Sequence, residues 1–105
     1  MKPPYYELHV TLPNDAPFLK YTVEEREWKF SKIDGDPKFG AGTKCYGTFH
    51  LSIEQGFAKA KEILKDFILI LQSEGYDPIR AKIETVVFDM KVERRPNAVE
   101  LVEWP

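Results

Sequence analysis

Apolar and polar residues alternate along "YYELHVTL". Tyr6, Leu8, Val10 and Leu12 hold one parity, and Tyr5, Glu7, His9 and Thr11 the other. Period-two alternation in a run rich in aromatic and β-branched residues predicts a half-buried strand, which Pro13-Asn14 closes. Residues 18–26 are ambiguous. Thr22-Val23-Glu24-Glu25 has capping-box spacing, whereas Leu19, Tyr21 and Val23 alternate as in a strand. A short helix is the preferred reading. Strands are predicted over Trp28–Ile33 and Cys45–Ser52, joined by the Gly/Pro/Asp-rich "DGDPKFGAGTK". In the second of them Cys45, Gly47, Phe49, Leu51 and Ile53 should face a core, leaving Tyr46, Thr48, His50 and Ser52 on the other side.

At Ser52 the period changes. Ser52-Ile53-Glu54-Gln55 has capping-box spacing, so a helix should start there with Ser52 accepting the Gln55 amide. Phe57, Ala60, Leu64, Phe67 and Leu71, three or four residues apart, make its buried stripe. Gly75 is the expected residue just past its end, with Pro78 beyond. A further strand is predicted in "AKIETVVFDMKV", a turn at Arg95-Pro96-Asn97, and a short edge strand over Val99–Trp104.

The order β, α, β, β, α, β predicts an α+β fold of ferredoxin-like (split βαβ) type. That is a four-stranded antiparallel sheet with helices on one face, with an optional fifth, C-terminal strand. The expected organisation is one domain over residues 1–105, residues 97–105 being an edge strand or tail. Right-handed crossovers would make the first and third strands parallel neighbours at the sheet centre. Tyr5, Glu7, His9 and Thr11 would then share an open face with Tyr46, Thr48, His50 and Ser52.

Composition narrows the function classes. Charged residues are 30% and hydrophobic residues 43% of the chain, ordinary for a globular protein and too apolar for disorder. A net charge of -2 argues against charge-driven binding to long nucleic acid or an anionic membrane, while a small phosphate-bearing ligand needs only a few local cations. A single cysteine excludes an internal disulfide and a multi-cysteine metal site. With no signal-like or spanning apolar segment, the expected location is the cytoplasm.

The chain's two histidines sit in matching contexts, His9-Val10-Thr11-Leu12 and His50-Leu51-Ser52-Ile53. Two imidazoles on one face could serve as base and acid, Glu7 could orient His9, and the Thr11 and Ser52 hydroxyls could hold phosphoryl oxygens. Such equipment needs neither metal nor cofactor, and it suits the opening of a cyclic phosphodiester. "HVTL" and "HLSI" resemble the paired His-x-Thr/Ser signature of the two-histidine (2H) phosphoesterases, which act on 2′,3′-cyclic phosphates and 2′–5′ linkages. The resemblance implies His9 and His50 as the acid–base pair and Thr11 and Ser52 as phosphate contacts. Thr48, Tyr46 and Lys44, on the same face or beside the glycine-rich loop, complete the candidate ligand contacts, and Lys38 lies on that loop.

Other readings compete. Each histidine taken singly fits a surface or interface position, and Ser52 fits an N-cap. Cys45 should face the core rather than act as a nucleophile. Arg80, Lys82 and Glu84 alternate on a strand and read as a solvated or inter-strand charge ladder. "KCYGTF" loosely resembles the third-strand motif of RNA-recognition domains, with Tyr5 and Tyr46 as stacking platforms. Alternatively, Tyr5, Tyr46 and Trp104 could cover a homodimer surface, formed through the open sheet face or an edge strand.

Overall fold

A computed structural model describes residues 3–34, 42–88 and 94–102. In chain order the elements are β1 (Tyr5–Leu12), α1 (Leu19–Glu25), β2 (Lys29–Asp34), β3 (Thr43–Ser52), α2 (Phe57–Ser73), β4 (Arg80–Phe88) and β5 (Arg94–Leu101). The five strands form one antiparallel sheet in the order β2-β3-β1-β4-β5, with β1 at the centre. The protein is therefore α+β, as its patterning indicates.

One parity of β1 builds the core. Leu8, Val10 and Leu12 are buried with Cys45 of β3, Ala81 and Ile83 of β4, Leu19 and Val23 of α1, and Ala60, Leu64, Phe67, Ile68 and Leu71 of α2. Both helices thus cover the same face of the sheet. The expected α2 stripe is buried as predicted at Ala60, Leu64, Phe67 and Leu71, and Phe57 packs at the core's margin. Trp28 stacks on Phe67 with ring centroids 3.9 Å apart and planes 8° from parallel. This stack lies over Gly47, where an added Cβ would stand 3.2 Å from Phe67 and 3.5 Å from Trp28. Gly47 is there because two aromatic rings take the room a side chain would need.

Both helices end in the same Schellman hydrogen bonds. At α2, Gly75 N–H donates to Gln72 O and Tyr76 N–H to Leu71 O, with Gly75 at φ 88°. At α1, Glu27 N–H donates to Glu24 O and Trp28 N–H to Val23 O, and Glu27 takes φ 66° in the position glycine usually fills.

Four expectations are corrected. β1 and β3 are neighbours but run antiparallel, because the β2–β3 hairpin reverses the chain after a crossover that makes β1 and β2 parallel. α1 begins at Leu19, so Thr22 is a buried residue in mid-helix and not a cap. Ser52 caps a 3₁₀ turn, Ile53–Gln55, accepting from the Glu54 amide at 3.3 Å, and α2 begins only after Gly56. Arg95-Pro96-Asn97 is not a turn. It lies within β5, where a register shift opposite Thr85 and Val86 absorbs the extra residue and an edge strand tolerates the proline. The glycine-rich loop with Lys38, residues 89–92 of the fourth predicted strand, and Trp104 lie outside the described residues.

Candidate functional site

The sheet face away from the helices is laid out by register. Glu7 lies opposite His50 on β3 and Glu84 on β4, and His9 lies opposite Thr48 and Lys82. Tyr5 is flanked by Ser52 and Val86, and Thr11 by Tyr46 and Arg80. Directly paired residues project to the same side of a sheet. The face predicted from alternation is therefore present, with β4 added to it.

Glu7 is the hub, although it is only 7% exposed. Its Oε1 is 2.8 Å from His9 Nε2 and its Oε2 is 3.4 Å from His50 Nε2, so one carboxylate joins both imidazoles. The Tyr5 hydroxyl donates to Oε2 at 3.3 Å, and the Tyr5 ring rests against His50 with centroids 4.5 Å apart. His9 Nδ1 is 3.3 Å from Thr48 Oγ1. The histidines differ in exposure: the His9 side chain is 19% accessible and that of His50 57%. Both His9 nitrogens are engaged, whereas among the described residues His50 Nδ1 has no partner.

Glu84, also 7% exposed, faces Glu7 across β1 and β4. Like charges placed directly opposite repel, and a buried carboxylate needs a counter-charge. Lys82 supplies it with Nζ 2.6 Å from Glu84 Oε1, while Glu84 Oε2 lies 3.9 Å from His9 Nε2. Glu7, His9 and Glu84 offer donor atoms within 4.8 Å of one another, a set a divalent ion could use. An ion there would compete with the Lys82 ammonium for Glu84.

The candidate residues of the sequence do not all converge. His9, His50, Glu7 and Thr48 come together. Thr11 and Ser52 do not. In antiparallel strands the residue two places beyond each histidine runs the opposite way, so Thr11 sits beside Tyr46 and Ser52 beside Tyr5. Tyr46 and Ser52 are six positions apart on β3, about 20 Å at roughly 3.4 Å per residue. One phosphate cannot touch both hydroxyls. Lys44 is also six positions from His50, on the same face but away from the histidines. Tyr46 is partly buried next to Thr11.

Lys82 and Glu84 are the site residues that patterning left as a plain charge ladder. Their signal was the parity of "RAKIE", since Ala81 and Ile83 enter the core and turn Arg80, Lys82 and Glu84 to the histidine face. Nothing local indicated that β4 would pair with β1. Cys45 is fully buried, and burial pushes its thiol above its ordinary value, which removes it as a nucleophile. A groove lined by Phe18, Lys20, Tyr21, Glu24 and Glu25 runs along α1, on the other side of the sheet. The most exposed of the large apolar side chains among the described residues, Phe18, Tyr21 and Leu69, belong to the helical side too. Among the described residues no helix is long and apolar enough to cross a membrane.

Comparison with protein-family models, with curated proteins and with solved structures finds no match to this chain.

Proposed function

We propose that this chain is a ferredoxin-like domain whose helix-free sheet face hydrolyses cyclic phosphodiesters without a metal, using His9 and His50 as acid and base. The fold reading rests on the βαββαβ element order together with the strand order β2-β3-β1-β4. The functional reading rests on Glu7, whose two oxygens reach the Nε2 atoms of both histidines. A shared carboxylate fixes two imidazoles in orientation on one face.

The difference in exposure divides the roles. His50, open to solvent, takes the proton of a water molecule at Nδ1 as that water attacks phosphorus. The bond from phosphorus to one ring oxygen breaks. That oxygen takes the Thr48 hydroxyl proton, and Thr48 takes the Nδ1 proton of the His9 imidazolium. One water is consumed, and a phosphomonoester and a free hydroxyl form. The proton gained by His50 replaces the one lost by His9 through solvent. Thr11 and Ser52 have no part in this scheme, which departs from the two-histidine pattern at both hydroxyls.

RNA stacking is less well supported. Gly47 answers to the Trp28–Phe67 stack, and the Tyr5 ring is already against His50. The test is hydrolysis of nucleoside 2′,3′-cyclic phosphates by wild type, His9→Ala and His50→Ala. Turnover lost in both folded variants supports the reading. No turnover, or turnover indifferent to both changes, leaves a binding or homodimerisation domain.

A further inference from the structure

The histidine face is cationic in a chain that is not. Among the described residues with defined register it carries Lys29, Lys44, Arg80 and Lys82 against Glu7 and Glu84, while the whole chain has a net charge of -2. Both carboxylates are sunk, with side chains 9% accessible, whereas the Lys82 side chain is 20% accessible. An anion approaching this face therefore meets cations before it meets Glu7 or Glu84.

Lys82 holds the central place among those cations. It lies directly opposite His9 in the β1–β4 pairing, where facing Cβ atoms are about 4.5–5.5 Å apart. Its ammonium donates to Glu84 Oε1 at 2.6 Å, and Glu84 Oε2 is 3.9 Å from His9 Nε2. An ammonium has three N–H donors, and among the described residues Glu84 is its one partner. Two donors remain for a ligand, next to the imidazole that faces Thr48. The hydroxyls at Thr11 and Ser52 diverge along the strands and leave the need for a phosphate contact unmet.

We propose that Lys82, held by Glu84, is the phosphate-binding cation of this face, and that the ligand class is a small phosphate ester. This rests on the reading of the face as a phosphodiester site and names the group that holds its substrate. Glu84 keeps the ammonium beside His9, and the two free N–H groups take phosphoryl oxygens as point-charge contacts.

The experiment separates binding from chemistry. Inorganic phosphate and a nucleoside 3′-monophosphate are titrated into the full chain while the His50 imidazole signals are followed by NMR. Wild type should show saturable shifts with both probes. Because Lys82→Met alone strands the buried Glu84 charge, the paired variant Lys82→Met with Glu84→Gln keeps the balance, and Glu84→Gln alone is its control. The paired variant should bind at least tenfold more weakly than the control, and Lys82→Arg should stay within about threefold of wild type. Equal binding by the paired variant and the control, or no saturable shift in wild type, overturns the proposal. Lys82-dependent binding without any turnover would sink the acid–base reading and leave this one standing. Turnover with a KM indifferent to the paired change would do the reverse.

Discussion

Glu7 and Glu84 face each other across the central strand pair, each 7% exposed, with His9 Nε2 2.8 Å from one and 3.9 Å from the other and the Lys82 ammonium on Glu84. Two carboxylates buried side by side cost stability, and their cations offset that cost only in part. An arrangement of this kind fits a face selected for chemistry more readily than one selected for stability.

Glu7→Gln should therefore separate the two properties. It removes one of the opposed charges, so the urea midpoint should hold or rise. It also removes the charge shared by His9 and His50, so hydrolysis of a 2′,3′-cyclic nucleotide should fall by about 10²-fold or more, within the range of a lost acid–base contribution. Full activity in the folded variant would end the role given to this carboxylate.

Thr48 is tested by rescue. Thr48→Val keeps the shape and removes the hydroxyl that faces His9 Nδ1 at 3.3 Å, so kcat should drop while KM changes little. Thr48→Ser restores the hydroxyl and should recover most of kcat. Loss in both variants would mean that the residue matters through packing.

Turnover should survive dialysis against a chelator and gain nothing from added Zn²⁺ or Mn²⁺. The Glu7–His9–Glu84 donor set makes this a real test. Activity abolished by the chelator and restored by one ion would replace the acid–base mechanism with a metal-assisted one.

In the core, Gly47→Ala should cost about 1–3 kcal/mol by overpacking against the Trp28–Phe67 stack. Adding Phe67→Leu, which vacates part of that space, should cost less than the sum of the two single changes in denaturant midpoints. Strict additivity would show that the stack is not what excludes a side chain at 47.

At the end of α1, Glu27→Gly should stabilise the fold by roughly 0.5–1 kcal/mol, because a left-handed φ of 66° costs an L residue about 1–2 kcal/mol and glycine returns part of that gain as entropy. Gly75→Ala at φ 88° should destabilise by a similar amount. Thermal unfolding of both variants checks the pair, and opposite signs are expected.

The same contrast explains what could be read locally. Gly75 announced the end of α2, whereas Glu27 does the same job at α1 without a recognisable signal, and residues 18–26 were ambiguous because Leu19, Tyr21 and Val23 alternate as in a strand beside a capping-box spacing. The buried stripe of α2 and the parities of β1 and β3, which set His9 and His50 opposite the apolar side of each strand, follow from periodicity. That is a property of a single segment and of which side of it is apolar.

Direction and neighbours are different in kind. Alternation reads the same from either end of a strand, so it could not tell that β1 and β3 run antiparallel, and with that reversal Thr11 and Ser52 part company. Nor could it tell that β4 would lie against β1 and bring Glu84 and Lys82 to His9, more than seventy residues away in the chain. The sequence by itself determined which side chains face which way. Only the closing of the sheet, through hairpin reversal and crossover, decided which of them meet.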